Sequence, residues 1–187
     1  MRIKYRGSDI WMENLTVSQA MIKVAEFEKV YRNKLYTLSD IDNCTTTYIL
    51  ESDNQRHVCN EIFNFKGEFE LVMDLSKEID MLKTEIAKSN NTVCIDALGQ
   101  SMTIQSALNK SRTMRNQKDT FETILNNAKA SKSRKVDAAA TSAYYKVTEL
   151  NFDRKELQDL VDKMNDDLLE LEFAINKANN ETVITIA

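Results

Sequence analysis

Nine apolar residues, Val58, Ile62, Phe65, Phe69, Val72, Leu75, Ile79, Leu82 and Ile86, follow one another at steps of 4, 3, 4, 3, 3, 4, 3 and 4. That spacing sets them on one face of an α-helix, nearly as a heptad repeat. The single 3-3 step at Phe69-Val72-Leu75 is a stammer, which overwinds a coiled coil locally without breaking its seam. At 1.5 Å per residue a helix of about 30 residues is roughly 45 Å long. A rod with one apolar face needs company along its length. The chain has no proline and three glycines, Gly7, Gly67 and Gly99, in 187 residues. Sandwiches, barrels and glycine-rich phosphate loops depend on tight turns and are poorly served by that composition.

The remaining elements follow from the same reasoning. Thr16-Val-Ser-Gln19 reads as a capping box, because the Thr hydroxyl accepts from the third backbone N–H while Gln reaches back to the cap. The helix it opens carries Ala20, Val24, Phe27, Tyr31, Leu35, Leu38 and Ile41 on one face. The run Thr45-Thr46-Thr47 weakens it, since β-branched residues lose rotamer freedom in a helix, and an end is expected near Leu50. Glu51 to Arg56 forms a polar turn. Ser89 to Thr92 interrupts the long seam, and Thr92 to Met102, with Gly99 inside it, suits a small hairpin. Thr103 or Ser101 caps a third helix with Ile104, Ala107, Leu108, Met114, Phe121, Ile124, Leu125 and Ala128 on its apolar face. Ala130 to Lys135 reads as a basic, serine-containing turn, and 135–150, with its alanine run and Tyr144, Tyr145, Val147 and Leu150, is open between strand and loop. Asp153 and Glu156 start a last helix with apolar Leu157, Leu160, Val161, Met164, Leu168, Leu171, Ile175 and Ala178. Asn179-Asn180 stops it, and Val183 to Ile186 is a short β-prone tail. The expected fold is all-α: four main amphipathic helices in a bundle or coiled-coil-like oligomer, with one small β-hairpin. Residues 1–15 form an N-terminal arm whose Ile10, Trp11 and Leu15 are available to a partner, and 16–187 form a single helical domain.

Asn91-Thr92 before a short turn, Gly99 followed by Thr103 and Ala107-Leu108, and the Leu-x-x-x-Ile-x-x-Ala-Asn ending of Leu168 to Asn179 resemble a family of small bacterial and phage-borne helical proteins sometimes labelled septicolysin. The resemblance covers roughly residues 70–184, and residues 15–50 by pattern only. Asn180 stands where that family usually has Trp, Asn176 where it has Gln, and Ser111-Arg112 where it has Arg-Asp. The resemblance implies a phage or bacterial source and brings no catalytic residues with it.

Catalytic chemistry finds little purchase. His57 is the sole histidine, and His57-x-Cys59 lacks the third and fourth ligands of a zinc site unless Cys44 or another subunit helps. Nothing beside the cysteines stabilises a thiolate or orients an imidazole for nucleophilic attack. Cys94 reads as a small packing residue on a strand. Asp166-Asp167 and Glu170-Glu172 read as the solvated side of an amphipathic helix. No metal or cofactor is expected, and the chain is not expected to be an enzyme.

Charge is more informative. Between Asn109 and Lys135 eight basic residues oppose two acidic ones, and between Glu149 and Glu172 nine acidic residues oppose three basic ones, so segments of +6 and −6 coexist in a chain of net charge −4. The preferred reading is internal: the basic third helix lies beside the acidic last helix, within or between subunits. The alternative is a phosphate site, with Arg112 and Arg115 one turn apart, Lys132, Arg134 and Lys135 following, Ser131 or Ser133 adding hydroxyls, and Tyr145 stacking a base. The acidic balance disfavours duplex nucleic acid.

Three cysteines without CxxC spacing suit reduced thiols. The basic start lacks the apolar run of a signal peptide, no stretch approaches a membrane span, and a cytoplasmic location is expected. The expected function is a non-enzymatic oligomeric binding protein that scaffolds or sequesters a partner, protein or phosphate-bearing small molecule. The alternatives are a phage sponge holding a nucleotide-type immune signal at a basic inter-subunit site, and a membrane-perturbing toxin-like protein.

Overall fold

The computed structural model of the chain describes residues 2–5, 8–11, 14–59, 62–136 and 143–185. It divides into two units, Met1–Thr92 with Asn179–Ala187, and Val93–Ala178.

The first unit opens with an antiparallel hairpin, β1 (Arg2–Tyr5) and β2 (Ser8–Trp11), where the sequence showed no periodicity. The packing of the Ile10 and Trp11 side chains lies outside what is described. After β3 (Leu15–Thr16) comes α1 (Val17–Ser39). Its expected capping box is formed: the Gln19 backbone N–H donates to Thr16 Oγ1 at 3.2 Å and the Thr16 N–H donates to Gln19 Oε1 at 3.0 Å. The helix stops eleven residues short of the expected end near Leu50. Asp40 is extended and its carboxylate accepts from the Asp42 N–H at 3.1 Å, starting a short α2 (Ile41–Cys44). Asn43 Nδ2 and Cys44 Sγ donate to the Thr37 and Leu38 carbonyls, which satisfies part of the end of α1. A second hairpin, β4 (Tyr48–Leu50) and β5 (Arg56–Val58), precedes α3 (Phe65–Thr92).

The long seam finds its partner inside the chain, but only in part. Val17, Ala20, Val24 and Phe27 of α1 form one buried cluster with Leu75, Ile79 and Leu82 of α3. The helices run antiparallel, because Lys34 Nζ meets Glu68 Oε2 at 2.6 Å while Lys83 Nζ meets Glu28 Oε1 at 2.6 Å. The hydrogen bond and charge of Lys83 hold the Glu28 carboxyl below its ordinary range. Earlier in the seam, Val58 belongs to β5 rather than to the helix, Ile62 precedes it, and both they and Phe65 and Phe69 are exposed.

The second unit begins with the expected hairpin, β6 (Cys94–Ala97) and β7 (Gln100–Thr103), in register Cys94↔Thr103 to Ala97↔Gln100. Its two-residue turn has φ of +56° at Leu98 and +70° at Gly99, the signs of a type I′ turn. Leucine is unusual there. Its side chain packs on the second core cluster, and its N–H donates to Glu170 Oε1 at 2.5 Å. Cys94, expected to pack, is exposed. Thr103 caps α4 (Ile104–Asn127), accepting from the Ser106 N–H at 3.2 Å. Ile95, Ala97, Ile104, Ala107 and Met114 bury themselves with Leu168, Leu171 and Ile175 of the last long helix. Between α4 and that helix lies a hairpin of β8 (Ser131–Val136) and β9 (Ala143–Thr148), paired from Ser131↔Thr148 to Val136↔Ala143. Ala130 to Lys135 is therefore largely strand, not turn. Arg154 Nη1 donates to the Ala128 carbonyl at 3.3 Å at the base of this arm. The alanine run at 138–140 and Ile186 lie outside the described residues. α5 (Arg154–Glu181) runs through Asn179-Asn180, and β10 (Val183–Ile184) pairs antiparallel with β3 in the first unit.

The all-α class with one hairpin is thus corrected. Long helices dominate, but the described residues form four hairpins and a fifth two-stranded pair, all antiparallel. The helical periodicity was real; the strands lie before, between and after the helices.

Candidate functional site

Strand β8 supplies four of the seven residues expected to hold a phosphate, and β9 supplies one. Opposed residues in an antiparallel pair share a face, and neighbours along a strand alternate. The register Lys132↔Val147 and Arg134↔Tyr145 therefore puts Lys132, Arg134, Tyr145 and Val147 on one face. Ser131, Ser133 and Lys135 fall on the other, with Tyr144 and Lys146. Lys132 Nζ stands 4.8 Å from the centre of the Tyr145 ring, a cation–π contact across the diagonal of the first face. All the described side chains of this arm are exposed.

Arg112 and Arg115 are exposed on α4. Arg115 Nη2 is paired with Glu172 Oε1 on α5, which ties the basic helix to the acidic one as the internal reading requires. Lys118 pairs with Glu122 on its own helix. The structure brings together Lys132, Arg134 and Tyr145; it leaves Ser131 and Lys135 on the opposite face. No protein-family model matches the chain, and no curated protein or solved structure matches it. The functional reading rests on the residues themselves.

A cleft of about 390 Å³ lies at the β6–β7 turn, lined by Asp96, Ala97, Gly99, Gln100, Ser101 and Glu170. It contains none of the seven residues expected to hold a phosphate, and of the acidic pairs weighed in the sequence it includes Glu170 alone. Among the described residues no group of three or more His, Cys, Asp or Glu is arranged to hold a metal ion. His57 Nε2 lies 3.2 Å from Glu51 Oε1 across the β4–β5 hairpin, where both are exposed. No described helix is long and apolar enough to cross a membrane.

A second feature was missed by sequence reasoning. Tyr36 near the end of α1 and Phe65 and Phe69 at the start of α3 are exposed, as are Ile41, Tyr48, Ile49, Leu50, Val58 and Ile62 in the segment that joins the two helices, Tyr36 to 81%, Ile41 to 74% and Ile62 to 75%. Phe65 and Phe69 stack with ring centroids 6.3 Å apart. With aromatic side chains of roughly 150–250 Å² each, these residues together leave apolar area on the order of 1,000 Å² open to water. The signal was present in the unbroken Tyr48-Ile49-Leu50 run, which cannot alternate between a buried and a solvated face.

Proposed function

We propose that the protein is a non-enzymatic binding protein that acts as a homo-oligomer and scaffolds or sequesters a partner. The apolar end of the α1–α3 pair carries this reading. The exposed Phe65 and Phe69 continue the helical seam whose later residues Leu75, Ile79 and Leu82 are buried against α1. Light scattering and native mass spectrometry test it together, since the second also reports a retained ligand. A monomer at micromolar concentration refutes it.

A second reading, sequestration of a phosphate-bearing small molecule, is supported by the face that carries Lys132, Arg134 and Tyr145. It ranks behind the first because the hydroxyl of Ser131 and the charge of Lys135 belong to the other face, and Arg115 is engaged by Glu172. Calorimetry with inorganic phosphate and a panel of linear and cyclic nucleotides tests it, and silence across the panel removes it for those ligands.

A further inference from the structure

The β8–β9 arm and the outer side of α5 are each incomplete. Isolated two-stranded hairpins are marginal in water, yet this arm exposes every described side chain, with Tyr145 at 59% and Val147 at 51%. Its cations Lys132 and Arg134 form no ion pair among the described residues. On α5, Val161, Leu168, Leu171 and Ile175 face the core. At 100° per residue, the opposite side carries Asp159, Asp162, Asp166, Glu170 and Phe173, flanked by Leu169 and Lys163, with Lys155 and Lys177 toward its two ends, so the stretch from Asp159 to Phe173 is acidic on balance. Phe173 is 73% and Leu169 58% exposed. Asp162 accepts a hydrogen bond from Gln158 at 3.0 Å, and no ion pair engages these three aspartates among the described residues.

We propose that the arm of one copy docks on the outer face of α5 in a second copy. The arm's exposure excludes docking on its own helix, so the occupant is another chain. Charge and spacing both favour this chain as that occupant. Lys132 and Arg134 are two residues apart on one strand face, about 6.6 Å, and Asp162 and Asp166 are one turn apart, about 6 Å. Two cations therefore match two carboxylates without distortion. The same arm face brings Tyr145 and Val147 to an acidic helix that also exposes Leu169 and Phe173, so apolar contact accompanies the ion pairs. Complementary charge of this kind sets register and suppresses wrong partners. The interface is separate from the α1–α3 end and does not depend on it.

The test uses the 187-residue chain with Cys44, Cys59 and Cys94 replaced by Ser. One chain carries Arg134→Cys, and a co-expressed, longer-tagged chain carries Asp166→Cys. Mild oxidation is expected to give a disulfide-linked product containing one chain of each kind. Its yield should fall about tenfold or more when Lys132→Glu is added to the first chain, and recover when Asp162→Lys is added to the second. Circular dichroism checks that these exposed substitutions leave the fold intact. Absence of the mixed product, or a yield indifferent to both charge reversals, overturns the proposal. So does calorimetric binding of inorganic phosphate or AMP that abolishes no cross-link yet is lost with Lys132→Glu, since the cations would then serve a ligand. Repeating the cross-link with Phe69→Asp in both chains separates the interfaces: the product should persist, and its loss overturns the independence argued here.

Discussion

Truncating Phe69 to Ala measures how much of the α3 seam is completed by another chain. A fully buried Phe→Ala change costs about 3–5 kcal/mol. Phe69 is 48% exposed in a single chain, so about half of that, near 2 kcal/mol, is lost within the chain, and the remainder is lost only where copies associate. Leu82, on the same helix but 0% exposed, is the control: Leu82→Ala should cost about 3–5 kcal/mol, wholly within the chain. For a chain of this length about 1 kcal/mol moves the melting temperature by roughly 2–4 °C. Thermal unfolding followed by circular dichroism over a hundredfold range of protein concentration separates the two costs. Wild-type Tm should rise with concentration, because association stabilises the folded state by mass action. Leu82→Ala should lower the whole curve in parallel by about 10 °C, whereas Phe69→Ala should lower it by about 5 °C at the dilute end and flatten its slope. A wild-type Tm independent of concentration, or a Phe69→Ala shift of one size throughout, refutes the reasoning.

Glu78 is buried with Oε2 unpaired, and burial, with the charge of Asp74 one turn away adding to it, pushes its carboxyl above the ordinary range. The ionised form is thus disfavoured by folding, so the stability it allows is full below the unfolded value near 4.3 and falls as pH rises through the raised one. Glu78→Gln should therefore raise Tm at neutral pH and not in acid, and a gain equal at both pH values would contradict this. The Ser111 hydroxyl is buried on α4 without a partner, so Ser111→Ala should be neutral or stabilising by up to about 1 kcal/mol in urea unfolding, and a clear loss would show a hidden bond. Glu170→Ala removes the acceptor of the Leu98 N–H and should speed hydrogen exchange at that amide, with a stability loss of about 1 kcal/mol for so exposed a group; unchanged exchange would show that the turn holds itself.

The helices were legible because each has two unlike sides. Val17, Ala20, Val24 and Phe27 recur at helical spacing since α3 covers that side of α1 and water covers the other, and the Thr16–Gln19 box marks where the helix begins. The β6–β7 hairpin was legible for the same reason. Ile95 and Ala97 are buried and Cys94 and Asp96 exposed, so the alternation survives in the sequence, with Gly99 at the turn. The end of α1 was not legible, because Leu38 and Ile41 continue its apolar spacing across Asp40, where an extended backbone and a new cap break the helix. The polarity of α4 against α5 was read from charge alone, and the Arg115–Glu172 pair is its geometric expression. What charge could not supply was the division of Ser131 to Lys135 between two faces, since that requires knowing that the segment is a strand.

Two of the segments that escaped the reading have one property in common. In β4–β5 and β8–β9 every described side chain is exposed, so no described residue imposes a buried face, and neither hairpin carries the alternation that burial selects. Tyr48-Ile49-Leu50 instead reads as the tail of a helix, and Lys132-Ser-Arg134 as a polar turn. Yet both arms hold large apolar side chains in water, at a cost that an isolated hairpin cannot offset from its own few cross-strand pairs. Large apolar side chains left uncovered by a chain's own fold are what an interaction surface presents. The same lack of a covering partner among the described residues that hid these strands from sequence reasoning is therefore what supports the proposed second copy.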